Sequence, residues 1–198
     1  MYLGTPAIAV PPLRALVDAG FEIALVVSRA DRRRGRGGAI TPSPVKAAAL
    51  ELGLPVTDAV DDALQAGADL GVVVAFGRII KPHVLAALPM VNLHFSLLPR
   101  WRGAAPVERA LLAGDERTGV CVMDVEEGLD TGGTYACVEV PIGAEATAAD
   151  LKAELVEVGT QLLVERLDED QRAQAKRAVR EMLMARSAAP ATRSLSFD

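Results

Sequence analysis

The sequence predicts an α/β fold of Rossmann-like type, a mostly parallel central sheet with helices on both faces. Three observations predict it. Strand-like apolar runs alternate with helix-like segments along the chain, which is the pattern of βα repeats. Asp69 to Ala75 holds an unbroken apolar run (Leu-Gly-Val-Val-Val-Ala), as a central strand buried on both faces requires. Prolines stand where helices should begin, at Pro44, Pro82 and Pro106.

In chain order, residues 1–4 read as a short first strand, and the Gly4-Thr5-Pro6 turn leads into a helix over about Val10 to Asp18. So brief a first strand suggests a start a few residues upstream. Phe21 to Ser28 is a second strand, rich in β-branched residues. A basic loop follows, then a helix with Ser43 as N-cap and Pro44 at its first position, running to about Leu52 and ending at Gly53. A short strand near Pro55-Val56, a short helix from Asp61 to Gln65 and the central strand come next. Pro82 opens a helix, Met90 to Phe95 is a strand, and the helix from Pro106 ends at Gly114. Strands at Val120 to Val125 and Tyr135 to Val140 flank a Gly-rich loop. Thr147 with Asp150 three residues on starts a long helix to about Leu167. Beyond it, Ala175, Val179, Met182 and Leu183 share a helical face, and Ser187 to Asp198 reads as a frayed tail. The expected division is a domain over 1–167 and an amphipathic helix with tail over 168–198.

With 198 residues, 51% hydrophobic and 24% charged, the chain can bury one sizeable domain. No apolar run approaches the roughly 18 residues of a membrane helix, and the N-terminus lacks the pattern of a secretory signal. The cytoplasm is the expected location, and no membrane partner is expected. Cys121 and Cys137 lie in apolar strand-like runs and are expected to be small core hydrophobes, not a disulfide or part of a zinc site. Between Arg29 and Lys46 six basic residues face the single Asp31, a local +5. Against a formal net charge of −5 this leaves −10 for the remainder. A concentrated basic loop on an acidic protein points to an anionic partner.

The chemistry-bearing segment is Asn92-Leu93-His94-Phe95-Ser96-Leu97-Leu98-Pro99. Asn92 and His94 are two apart on a strand and share a face, at the carboxyl end where open α/β sheets place their ligands. An amide donor beside an imidazole can hold a carbonyl oxygen and stabilise the oxyanion of a tetrahedral intermediate. A hydrogen-bonded strand-end histidine would show the same pattern. Asp130, inside Gly128-Leu129-Asp130-Thr131-Gly132, can orient an imidazole and assist proton transfer, although aspartate is also a common turn residue. A Gly-x-Ser-x-Gly elbow, a phosphate loop, a Gly-x-Gly-x-x-Gly fingerprint, a metal cluster and a Cys-His pair are all missing. Direct acyl transfer within a ternary complex is therefore the economical mechanism, with no metal.

Longer motifs sharpen this reading. Leu3-Gly4-Thr5-Pro6, Asp31-Arg32 with Gly35-Arg36-Gly37, Thr41 to Lys46, Val72 to Gly77, Asn92 to Pro106, Leu112 to Asp115 and Gly128 to Gly132 together resemble the methionyl-tRNA formyltransferase family over about residues 2–167. The resemblance implies a Rossmann-like formyltransferase domain over 1–167, with 10-formyltetrahydrofolate as donor and charged initiator tRNA as acceptor. It implies Asn92, His94 and Asp130 as the catalytic set. It implies Phe76, Gly77, Arg78, Ile79, Ser96, Leu97, Leu98, Pro99, Gly128 and Leu129 as the folate site. It places Arg32, Arg33, Arg34, Arg36 and Lys46 on the acceptor stem of tRNA, with Arg36 at a key contact. The family's C-terminal β-barrel, which grips the tRNA body, has no counterpart in this sequence, so weaker tRNA binding is expected. A sugar N-formyltransferase acting on a nucleotide-linked amino sugar and a non-catalytic folate- or RNA-binding remnant are the alternatives. Oligomeric state has no signature in the sequence.

Overall fold

The computed structural model describes residues 1–34 and 39–187, with the backbone alone at 33, 34, 39 and 170–187. The chain divides into two units, 1–164 and 165–198.

The first unit is built on a seven-stranded sheet. Its strands are β1 (Tyr2–Gly4), β2 (Val26–Val27), β5 (Val56–Thr57), β6 (Gly71–Val74), β7 (Met90–His94), β8 (Arg117–Asp124) and β9 (Thr134–Pro141). A separate two-stranded ribbon pairs β3 (Arg32–Arg34) with β4 (Ala39–Thr41). The main sheet runs β5-β2-β1-β6-β7-β8-β9. Pairing is parallel from β5 through β7 and antiparallel for β7–β8 and β8–β9. The expected mostly parallel α/β sheet is thus observed.

Alternation along the strands divides the core. Leu3, Val27 and Val73 face one side, where they cluster with Val60, Phe76, Val84 and Leu88. Tyr2, Val26 and Val72 face the other; there the fully buried Tyr2 Oη donates to the Ala9 carbonyl at 2.5 Å. Burial away from charge stabilisation pushes the Tyr2 phenol well above its usual value.

Helix α1 (Val10–Asp18) covers the expected residues, and α2 (Pro44–Glu51), α3 (Pro82–Ala87) and α4 (Pro106–Leu112) begin where the prolines predict. Ser43 caps α2 by accepting the Lys46 amide at 3.0 Å, and its hydroxyl meets that of Ser28 at 2.5 Å. Helix α5 (Ala148–Ser187) opens with the expected Thr147–Asp150 box, and the Thr147 hydroxyl and amide hold the Asp150 carboxyl below its ordinary value. Gly159 lets α5 approach β8: a Cβ there would lie 2.8 Å from Val120.

Several elements differ from expectation. Only Val26–Val27 of the Phe21–Ser28 run is strand, because the ladders on its two sides each engage just those two residues. Val60–Gln65 is a 3₁₀ stretch, and α5 continues past Leu167 to Ser187. The expected basic loop contains an antiparallel ribbon, Arg32–Arg34 paired with Ala39–Thr41. The cysteines are not free: Cys121 and Cys137 are directly opposed on β8 and β9, with Cα atoms 4.2 Å apart, and form a disulfide. Directly opposed antiparallel residues bring two thiols into bonding range regardless of the surrounding apolar run. The tail over 188–198 and the shared face of Ala175, Val179, Met182 and Leu183 lie outside the described residues or side chains. Among the described residues no helix is long and apolar enough to cross a membrane.

Candidate active site

The carboxyl ends of β6 and β7 open onto a cleft of about 790 Å³, within the usual range for small-molecule sites. Its walls come from four segments: Ala75 to Ile80 after β6, Asn92 to Phe95 on β7, Gly103 to Glu108 at the start of α4, and Met123 to Asp130 after β8. Lys152 and Val156 of α5, with Ile8 and Val73, complete it.

Three described non-glycine residues adopt left-handed backbone, Ala75 (φ 45°), Ala105 (φ 58°) and Asp130 (φ 49°), and all three line this cleft. Side chains other than glycine enter that region at a cost of about 1–2 kcal/mol, and such strain gathers at ligand sites. At Ala75 the chain turns out of β6, and Phe76 to Ile79 beyond it line the cleft. Arg78 anchors that segment, donating to the Asp58 carbonyl at 2.7 Å with its guanidinium 5.5 Å from the Phe76 ring centre.

Asn92 and His94 share a face of β7, as their spacing requires, and both line the cleft. His94 is 6% exposed. Its Nε2 lies 3.0 Å from the Trp101 carbonyl oxygen. A carbonyl only accepts, so Nε2 carries hydrogen and Nδ1 is the remaining nitrogen. Nδ1 stands 3.6 Å from Asp130 Oδ2. The same Asp130 oxygen accepts the Gly103 amide at 2.7 Å. The three residues singled out from the sequence thus converge, with a carboxylate facing the imidazole nitrogen that can take a proton.

Of the residues expected around a folate, Phe76, Gly77, Arg78, Ile79, Gly128 and Leu129 line the cleft, and Ser96, Leu97, Leu98 and Pro99 do not. Ser96 is fully buried and bonded to the Trp101 main chain; Leu97 lines a separate hollow of about 450 Å³ with Arg100, Trp101 and Asp115. The strand ends at His94, so the chain after Phe95 turns away behind the cleft. Arg32 to Arg34 sit on the ribbon, Lys46 pairs with Asp31 at 2.9 Å, and Arg36 lies outside the described residues.

Sequence reasoning missed Glu108 and Lys152, which form an ion pair in the cleft wall. They are 44 residues apart on different helices, so no local spacing links them. The Lys152 ammonium holds the Glu108 carboxyl below its ordinary range, while Glu108 Oε2 is buried with no hydrogen-bond partner. Among the described residues no group of three or more His, Cys, Asp or Glu side chains could hold a metal ion.

Residues 3–167 match the family described as Formyl transferase. The chain belongs to the formyl transferase family. It is 46% identical over 175 residues to a methionyl-tRNA formyltransferase of Symbiobacterium thermophilum, covering 83% of this chain and 54% of that protein. It is 50% identical over 177 residues to that of Roseobacter denitrificans, covering 84% and 58%. The chain thus spans a little over half the length of the curated relatives it matches. Among solved structures it is similar to phosphoribosylglycinamide formyltransferase from Bacillus halodurans, with a TM-score of 0.71, 23% identity, and 82% and 90% of the two chains covered. It is also similar to WlaRD, a sugar 3N-formyl transferase solved with dTDP and 5-N-formyl-THF, with a TM-score of 0.66, 21% identity, and 84% and 60% covered. At these identities the structural likeness concerns the fold.

Proposed function

We propose that this formyl transferase domain moves a formyl group from 10-formyltetrahydrofolate to the amino group of methionyl-tRNA. The observation that carries the reading is His94 Nδ1 facing Asp130 at 3.6 Å beside Asn92, inside a cleft of about 790 Å³. The relatives named methionyl-tRNA formyltransferase favour this acceptor over an amino sugar. The folate assignment draws on the family and on the sugar 3N-formyl transferase solved with a formyl-folate.

In this reading Phe76 to Ile79, Gly128 and Leu129 hold the donor, largely through main-chain groups and apolar contact. The neutral amine attacks the formyl carbon, forming a C–N bond and a tetrahedral oxyanion. Asn92 donates to that oxyanion. The amine proton passes to His94 Nδ1, directly or through a water, and Asp130 compensates the imidazolium. The C–N bond to the folate N10 then breaks and that nitrogen recovers a proton from Nδ1–H. Because Nε2 is committed to Trp101, His94 can help Asn92 at the oxyanion only in its protonated form. Ser96 to Pro99 support this site from behind.

In this reading Arg32, Arg33 and Arg34 of the ribbon, together with Arg36 and with Lys46 of α2, meet the acceptor stem through phosphate contacts, which supply most nucleic-acid affinity and weaken with salt. In this reading the protein works in the cytoplasm, and the thiol pool there would act on the Cys121–Cys137 bond.

The test supplies the chain with 10-formyltetrahydrofolate and either initiator methionyl-tRNA or a dTDP-linked amino sugar, and measures the formylated product. Formylmethionyl-tRNA as the preferred product supports the reading. Formylation of the sugar alone, or of neither, overturns it.

A further inference from the structure

One nitrogen of His94 faces the cleft, and the other is gripped from behind. The Trp101 carbonyl that accepts from Nε2 is itself fixed on several sides. The buried Ser96 Oγ accepts the Trp101 amide at 2.9 Å and reaches the Trp101 carbonyl at 3.4 Å. The indole Nε1 donates to Asp115 Oδ2 at 2.7 Å. Arg100 covers the indole at 4.6 Å from the ring centre and stands 3.3 Å from Asp115 Oδ1. Trp101, Arg100 and Asp115 do not line the cleft.

Asp130 and the Trp101 carbonyl compete for a single proton. A neutral imidazole carries one hydrogen, and each ring nitrogen has an acceptor in front of it. Were Asp130 to win, the hydrogen would sit on Nδ1, and no lone pair would face the attacking amine. The carbonyl at 3.0 Å is closer than the carboxylate at 3.6 Å, and the anchored indole is what fixes that carbonyl's residue.

We propose that Asp115 is a positioning residue for the reaction: through the indole and carbonyl of Trp101 it holds His94 as the Nε2–H tautomer, with Ser96 clamping the same carbonyl. The role rests on the reading of His94 Nδ1 as the proton acceptor. It assigns to Asp115 a part in turnover and none in donor binding.

The chain has two histidines, and His83 is exposed and bonded to Asp61, so His83→Gln leaves His94 as the single imidazole in a nitrogen-15 spectrum. In that background, long-range proton–nitrogen correlations report the tautomer without any substrate. The parent should show Nε2–H. Asp115→Ala and Trp101→Phe, the latter keeping the aromatic ring, should both raise a measurable Nδ1–H population. In both, kcat should fall about 10- to 100-fold, the scale of a misplaced catalytic group, with KM for 10-formyltetrahydrofolate unchanged. Asp115→Asn, whose amide oxygen still accepts the indole hydrogen, should restore tautomer and kcat. An unmoved tautomer with unmoved kcat in folded Trp101→Phe overturns the proposal, and so does an equal kcat loss in Asp115→Asn and Asp115→Ala. A parent without formyl transfer overturns the reading of the reaction instead, while the tautomer shift still decides whether Asp115 sets the proton.

Discussion

His94 and Asp130 oppose each other at 3.6 Å between Nδ1 and Oδ2, and both are fastened to the same short stretch of chain. Trp101 supplies the carbonyl that fixes the imidazole, and Gly103, two residues on, supplies the amide that fixes the carboxylate. Strand β7 and the loop after β8 are far apart in sequence. Their spacing at the site is therefore set by a third segment, and only small shifts of it separate a proton-accepting pair from two unrelated polar groups.

Asp130→Asn is expected to separate the charge from the geometry. The amide oxygen can still accept the Gly103 amide, and asparagine tolerates the left-handed backbone at φ 49°. Turnover should fall by about two orders of magnitude through loss of the compensating charge, with the thermal midpoint close to the parent's. Asp130→Ala should lose similar activity and in addition about 1–2 kcal/mol of stability from the unfavourable backbone. Initial-rate kinetics beside thermal melts would reveal the contrast, and equal melts for the two variants would refute the backbone part.

Asn92→Ala should lower kcat by roughly 10²–10³, the usual cost of one oxyanion donor. His94→Ala should cost at least as much, because it removes the proton acceptor as well. Asn92 is half-buried beside the cleft, so its truncation should leave the fold intact, and a thermal melt of each variant verifies that it is folded. Single-turnover formylation measures the effect, and near-parent rates in both variants would remove these residues from the mechanism.

The sheet was largely legible because its signals are local. Proline at a first helical position, Ser43 ahead of Pro44, and the run from Asp69 to Ala75 each carry their own physical meaning. The pairing of Asn92 with His94 was legible from strand alternation alone. What could not be read depended on distant partners. Phe21 to Leu25 has the composition of a strand but lacks paired neighbours on both sides. Cys121 and Cys137 look like core residues until the β8–β9 register opposes them. Glu108 and Lys152, and the indole of Trp101 on Asp115, meet only through the tertiary fold. The left-handed turns at Ala75 and Ala105 had no signal, since alanine gives no hint of that conformation.

Gly132→Ala should cost more in activity than in stability. A Cβ at Gly132 would lie 2.2 Å from the Asp124 carbonyl oxygen, so the loop carrying Asp130 must move away from β8. A displacement approaching 1 Å at the carboxylate is enough for about a 100-fold loss in turnover. Exposed loops absorb such shifts with modest change in melting temperature. Unaltered kcat in a folded Gly132→Ala protein would show that the loop's position is not critical.

Ser28 and Ser43 should couple strongly in a double-mutant cycle. Their buried hydroxyls meet at 2.5 Å, and Ser43 also caps α2. Ser43→Ala removes the cap, at about 1 kcal/mol, and leaves the Ser28 hydroxyl without that partner, at about 1–3 kcal/mol. Ser28→Ala leaves the cap in place and should cost less. The double variant should be less destabilised than the two singles added, because no hydroxyl is then stranded. Urea unfolding of the four proteins gives the coupling, and simple additivity would argue against a shared hydrogen bond.

The Glu108–Lys152 pair should give the cleft wall an acid-sensitive share of its stability. Its carboxyl is held below the ordinary value of 4.5, chiefly by the Lys152 hydrogen bond. A depressed folded-state value means that the contribution is complete above the unfolded value and is lost as pH falls through the folded one. Lys152→Met removes the cause, so its melting temperature should lie below the parent's near neutral pH, and the two curves should converge as pH falls below the ordinary value of 4.5 and through the depressed one. The pair is partly exposed, so the gap should be small and should shrink with added salt. A gap that persists unchanged into acid would assign the loss to the packing of the lysine stem along the cleft and not to its charge.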